Sequence, residues 1–176
     1  AGPPSAATAK GDTMLNRPTS AYDRFLGSLA SLLKKAEAHA EAKSIKPEAL
    51  IQFRLYPDML PFVKQVQLSC DFAARAAARL AGAEPKSFPD TETSFAELQA
   101  RIATAREYLA SFADADYAGW QERKITLKVG GQDMTFGGEQ FLLGYSLPQF
   151  HFHLTTAYAI LRHNGVEIGK RDYMAG

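Results

Sequence analysis

The sequence predicts a single, mostly helical domain whose architecture is a four-helix bundle. Three observations predict it. Apolar residues recur at intervals of three and four in four long segments, residues typical of helix ends border those segments, and only one short region alternates as strands do. At 176 residues, with 46% hydrophobic and 22% charged residues, the chain can bury one core without disulfides.

The first long helix is predicted from Ser20 to about Ala42, with Ser20 as its cap. One apolar stripe runs along it: Tyr22, Phe25, Leu26, Leu29, Leu32, Leu33 and Ala36. A short helix then begins after Ser44, carries Pro47 in its first turn and ends near Leu55.

The second long helix is predicted to start after Asp58, which can cap it, and to end at Gly82. Pro61 falls within its first turn, where proline is tolerated. Its stripe is Met59, Val63, Val66, Cys70, Ala74, Ala77 and Leu80. Cys70 lies on this apolar face, so we expect a buried small side chain rather than a nucleophile.

The third long helix starts with Ser94-Phe-Ala-Glu97, which matches a capping box. The residues behind it form the most regular stripe in the chain: Phe95, Leu98, Ile102, Ala105, Leu109 and Phe112.

A β-hairpin is predicted between the third and fourth long helices, with strands at 125–129 and 132–136. Gly130 and Gly131 supply the positive φ angles of a tight turn. After a short helix at about 139–145, the last long helix begins near Ser146 and ends at His163, before Asn164-Gly165. This last helix is apolar on most sides, so we expect it to be central.

Charge and composition exclude several classes of function. With 20 basic and 19 acidic residues the formal charge is +1, so we expect neither nucleic-acid nor membrane binding. Cys70 is the only cysteine, which favours a cytoplasmic location. Residues 1–13 are small and polar, and we interpret 1–17 as a flexible leader or an added extension, followed by one domain at 18–176.

Histidine is scarce, and His151, His153 and His163 all lie on the last helix. Imidazole is a common metal ligand and acid–base group, which makes His153 and His163 weak metal candidates. They lie about 80° apart around the helix and about 15 Å apart along it, so they cannot hold one ion together. The alternative is that His153 is a hydrogen-bonded interior residue and His163 completes the helix end.

Gln65, Gln67 and Asp71 form a polar group on the second helix, and Gln67 lies at the edge of its apolar stripe. Buried amides need partners, and we expect the last helix to supply them. Gln67 and Asp71, with His153, His163 and Tyr158 of the last helix, form a candidate ligand-binding set. The alternative is a polar network that fixes how the helices align.

Three separated segments resemble a bacterial family catalogued only as a domain of unknown function. They are Arg54-Leu-Tyr-Pro-Asp-Met59, Gln65-Val-Gln67 with Asp71-Phe72, and the stretch from His153 to Gly169. The similarity runs from about Ser20 to Tyr173. That family is grouped with the DinB/YfiT-like proteins, and the resemblance implies a four-helix bundle of a group regarded as metalloenzymes.

In the wider group, the resemblance implies a divalent metal, zinc or nickel, held by one histidine of the second helix and two of the last. Gln67, Ala159 and His163 stand at those three positions here. One imidazole with one amide is a poor site for a first-row metal. The residues themselves indicate no cofactor, and only the resemblance implies a metal.

Three functions remain open at this point. The first is the binding of a small molecule at a degenerate site inside the bundle. The second is a metal-dependent transferase or hydrolase with unusual ligands, such as His153 with Asp71 and a water. The third is a noncatalytic module that forms a homodimer, which an exposed apolar face on the last helix would favour.

Overall fold

The structure, a computed structural model, describes residues 17–176. Most of the predicted leader, including residues 1–13, lies outside the described residues. The elements in chain order are α1 (Ser20–Ala42), α2 (Pro47–Ile51), α3 (Phe62–Ala81), α4 (Phe95–Ala110), β1 (Lys124–Val129), β2 (Gln132–Gly137), α5 (Gly138–Phe141), α6 (Leu147–His163) and α7 (Lys170–Met174). The fold is the predicted helical bundle, with its hairpin between the third and fourth long helices.

The second long helix, α3, is the centre of the bundle. It packs against α6 on one side and α4 on the other, while α1 contacts all three. A run of buried alanines between Ala73 and Ala78 lets both neighbours approach closely. We expected α6 to be the central helix, but Phe152 of α6 is 57% exposed. The expectation is wrong because the small side chains of α3 allow it to be enclosed on more sides.

Helix ends follow the sequence signals in part: Thr19 and not Ser20 precedes α1, and α2 ends at Ile51 rather than near Leu55. Ser94 accepts a hydrogen bond from the Glu97 amide at 3.2 Å, and Glu97 accepts one from the Ser94 amide at 3.0 Å, which confirms the capping box. Gly82 ends α3 in a left-handed conformation, with φ of 78°. Asp58, however, does not cap α3, which starts at Phe62 after an extended Pro61. A proline disfavours the helical conformation in the residue before it, so Leu60 cannot belong to the helix.

The hairpin has the predicted register. Val129 pairs with Gln132 and Lys124 with Gly137, so the turn is formed by Gly130 and Gly131. Their φ angles are 58° and 85°, as a type I′ turn requires. Ile125 is buried and attaches the hairpin to the helices.

The short helix after the hairpin runs into α6 without a loop. A wider π-helical turn, Leu142–Ser146, joins α5 to α6. Pro148 lacks the amide that would otherwise bond to the Gly144 carbonyl, which accounts for the wider turn. Ser146 accepts a 2.7 Å hydrogen bond from the buried hydroxyl of Tyr22, which connects this turn to α1.

Among residues 17–176, no helix combines the length and the apolar character that a membrane span needs.

Candidate functional site

Gln67 and Asp71 face α4 and the connection before it, not the last helix. Asp71 accepts a hydrogen bond from Arg101 at 2.6 Å, and the Gln67 amide donates to Glu92 at 2.7 Å. For Gln67 and Asp71 the expectation that α6 supplies the partners is therefore wrong, whereas it holds for Gln65, which bonds to His153 of α6. Both residues lie on the side of α3 that turns towards residues 82–94, so their polar atoms meet the groups of that connection.

Arg101 is the centre of this polar network, and sequence reasoning did not identify it. Its side chain is 2% exposed, and it also donates to Glu92 at 3.0 Å and to the Pro89 carbonyl at 2.9 Å. Its guanidinium lies 5.3 Å from the centre of the Phe88 ring. The arrangement fastens the connection between α3 and α4 to the bundle.

The sequence did carry a signal for Arg101. The residue lies three positions after Leu98 and four before Ala105, within the apolar stripe of α4. An arginine on a buried face needs carboxylate partners, because a buried unpaired charge is costly.

A cavity of about 270 Å³ adjoins this network and is lined in part by Phe88, Glu92 and Arg101. The Glu92 carboxylate already accepts hydrogen bonds from Arg101 and from Gln67. The Glu92 oxygens beside this cavity are therefore already engaged within the network.

His153 lies on the opposite side of α3, at the contact between α3 and α6. Its Nδ1 is 2.8 Å from Oε1 of Gln65, and its ring stacks on Phe72 with centroids 5.6 Å apart. Gln65, Ser69 and Phe72 share this face of α3 by helical spacing. Gln65 is the site residue that the sequence reasoning left out of the candidate set.

The hydrogen bonds of Gln65 determine which nitrogen of His153 carries the proton. Gln65 Nε2 donates to the Leu60 carbonyl at 3.1 Å, so Oε1 is the acceptor that faces His153. Nδ1 of His153 must then be the donor. In a neutral ring this leaves a lone pair on Nε2, and no group of residues 17–176 hydrogen-bonds to that nitrogen.

Burial favours the uncharged form of the His153 ring. The residue is 8% exposed, and desolvation lowers the pKa of His153 below its ordinary value. A neutral imidazole with a fixed tautomer and an unused Nε2 can accept a hydrogen bond or a proton.

Tyr158 and His163 do not join His153. The Tyr158 ring lies edge-on to Tyr173 of α7, with centroids 6.0 Å apart. His163 is exposed at the end of α6, and its ring lies 5.6 Å from that of Phe53. Of the five candidates, Gln67 and Asp71 therefore share the Arg101 network, whereas His153, Tyr158 and His163 lie in separate regions.

The residues do not fit the metal that the resemblance implies. Gln67 faces Glu92, whereas His163 is at an exposed helix end, so these two residues are not close enough to share a metal ion. At the contact of α3 with α6, the donors are one imidazole and the Gln65 amide. Within the described residues, no group of three or more His, Cys, Asp or Glu side chains is placed to hold a metal ion.

Comparison with known proteins identifies the family. The family model described as "Domain of unknown function (DUF1993)" matches residues 18–174. The chain belongs to the DUF1993 family. A crystal structure of a DinB family member protein from Shewanella denitrificans is also similar, with a TM-score of 0.82 and 38% sequence identity. The match covers 90% of this chain and 89% of that one.

These similarities show that the DUF1993 chain is a DinB-like domain. No curated protein matches it. The family description names no reaction, so the function of this DUF1993 protein must be proposed from its own side chains.

Proposed function

We propose that this protein binds a small molecule between α3 and α6, with Nε2 of His153 accepting a hydrogen bond from it. One observation supports the proposal above others: Gln65 holds Nδ1 as the donor and so leaves Nε2 as an unused acceptor. Nε2 has no partner in residues 17–176 and is not among their buried unsatisfied atoms, so it reaches the solvent, from which a ligand can approach it.

The chemistry around His153 limits the class of ligand. An uncharged acceptor selects an O–H or N–H group and gives no attraction for a carboxylate. Phe72 stacks on the ring, and Phe152 lies edge-on to it at 5.3 Å between centroids. The proposed ligand is therefore an aromatic or apolar molecule with one hydrogen-bond donor.

Pairs of small probes that differ only in the donor test this proposal. Phenol and indole are compared with anisole and N-methylindole by ligand-observed NMR and competition. We expect the donor-bearing probes to bind, and their methylated counterparts to bind about tenfold more weakly, as the loss of one good hydrogen bond predicts.

Two variants assign the binding to this site. His153→Leu should remove the preference for the donor, and Gln65→Leu should weaken it by releasing the ring. His163→Leu is the matched control on the same helix and should leave binding unchanged. Equal binding of each probe and its methylated counterpart by the wild-type protein would show that His153 is not the acceptor.

Self-association is a second candidate function. Phe152 on α6 is 57% exposed and Leu143, in the turn before α6, is 59% exposed. Exposed large apolar groups favour an interface between two copies. Sedimentation over a wide concentration range should show a dimer that Phe152→Ser dissociates; a monomer at every concentration would remove this candidate.

A cytoplasmic location is part of the proposal, because the single Cys70 is buried and forms no internal disulfide. A metal-dependent transferase or hydrolase is not favoured, since the described donors do not form a ligand set.

A further inference from the structure

A second cavity, of about 240 Å³, lies where the end of α3 meets the first strand of the hairpin. Three cationic side chains line it, from Arg79, Arg123 and Lys124. It shares no residue with the contact around His153, so a ligand bound in this cavity would be independent of one bound at His153.

The local backbone holds Arg123 in this cavity. Arg123 donates to the Leu80 carbonyl at the end of α3, to the Ala118 carbonyl at 3.2 Å and to the Asp116 carbonyl at 3.3 Å. A Cβ at Gly82 would lie 3.2 Å from Cζ of Arg123, so glycine there provides the room that the guanidinium occupies. Arg123 is therefore fixed by dipoles and not by a carboxylate.

The three cations are not neutralised by ion pairs. Among the described residues, the ion pairs include Arg75 with Asp71 and Lys128 with Asp133, but none involves Arg79, Arg123 or Lys124. Glu84 is the one carboxylate that lines the described cavity. The cavity therefore carries an excess of positive charge.

The pKa of Arg79 is consistent with an excess of positive charge around it. Burial and the nearby charge of Arg75 lower the pKa of Arg79. An anion in the cavity would compensate both effects, because it restores a favourable electrostatic environment for the guanidinium.

We propose that this cavity binds the phosphate group of a small molecule. Arginine presents a planar fork of donors that matches phosphate oxygens, and lysine adds a point charge. The volume is below the roughly 300–1,000 Å³ of pockets that enclose a drug-sized ligand. It therefore suits a phosphate group, with the remainder of a larger molecule outside.

Titration with inorganic phosphate at constant ionic strength tests the proposal. Amide ¹H–¹⁵N spectra of the full chain should show saturable shifts at Gly82, Ile125 and Thr126. The double variant Arg79→Gln/Lys124→Gln should weaken phosphate binding by about tenfold or more, as expected for the loss of two charge-assisted contacts. Lys124→Gln alone should have a smaller effect in the same direction.

The control is Lys128→Gln, which removes a cation from the same strand outside the cavity and should leave binding unchanged. Phenyl phosphate should bind at least as well as inorganic phosphate, and acetate more weakly. The proposal is overturned if phosphate shifts do not saturate, if acetate binds equally well, or if Lys128→Gln weakens binding as much as Lys124→Gln. Melting curves establish that each variant is folded.

Discussion

Asp71 and Arg101 form an ion pair of 2.6 Å between α3 and α4, and the Arg101 side chain is almost completely removed from solvent. The same guanidinium donates to Glu92, which in turn accepts from Gln67. The polar edge of α3 therefore finds its partners on α4 and its preceding connection, although Oε1 of Gln67 is buried without a hydrogen-bond partner among the described residues. This leaves α6 with a separate polar contact, that of His153 with Gln65.

Removing the cation of this pair should be costly. Arg101→Ala leaves Asp71 with only the partly exposed Arg75 as a cation and Glu92 with only the Gln67 amide, and we expect a loss of about 3–5 kcal/mol in the free energy of unfolding. Urea denaturation measures it. The matched control is Arg106→Ala on the same helix, whose partially exposed pair with Asp23 should contribute at most about 1 kcal/mol. Similar losses in both variants would contradict the account of a buried network.

Two glycine substitutions should have opposite effects on stability. Gly82→Ala places a Cβ at φ of 78°, close to the Arg123 guanidinium, and should cost about 1–2 kcal/mol. Gly27→Ala lies within α1, where the nearest atom would be 3.7 Å away, and should stabilise by about 0.5–1 kcal/mol. Thermal unfolding measures the change in stability of both variants. If Gly82→Ala left the stability unchanged, the end of α3 would not require the left-handed conformation.

The free energy of unfolding should fall on acidification through His151, which is half-buried, and His153, which is buried. Burial lowers the pKa of His151 and of His153 in the folded protein, so the unfolded chain binds protons more readily. Above the unfolded-state pKa of about 6.5 the two histidines contribute fully to the free energy of unfolding. This contribution is lost as the pH falls from there through their lower pKa in the folded protein. Urea denaturation from about pH 7 to pH 5 should show a smaller loss in His153→Gln than in the wild type. His163→Gln, at an exposed position, should retain the wild-type slope, and an unchanged slope in His153→Gln would contradict the burial argument.

The fold was largely predictable because its signals are local. The limits of α1 and α6, the capping box at Ser94 and the turn at Gly130 each depend on residues adjacent in sequence. The start of α3 was wrong because the effect of Pro61 on Leu60 outweighs the capping tendency of Asp58.

The candidate site was predicted less well because it depends on which helices face each other. Helical spacing shows that Gln65 and Gln67 point in different directions, but not which of them meets α6. Which of the two glutamines meets α6 is determined by the packing of α3 between α4 and α6. The partners of Arg101 could not be predicted either, because Asp71 lies on another helix and Glu92 lies in a connection without regular secondary structure.

The most direct test of the central claim is the protonation of the two His153 ring nitrogens. A long-range ¹H–¹⁵N spectrum of the histidine side chains at neutral pH, assigned with His153→Gln, distinguishes the tautomers. The structure predicts a neutral ring with the proton on Nδ1, bound to Gln65, and an unprotonated Nε2. A proton on Nε2, or a doubly protonated ring, would contradict the proposal that His153 presents an unused acceptor to a ligand.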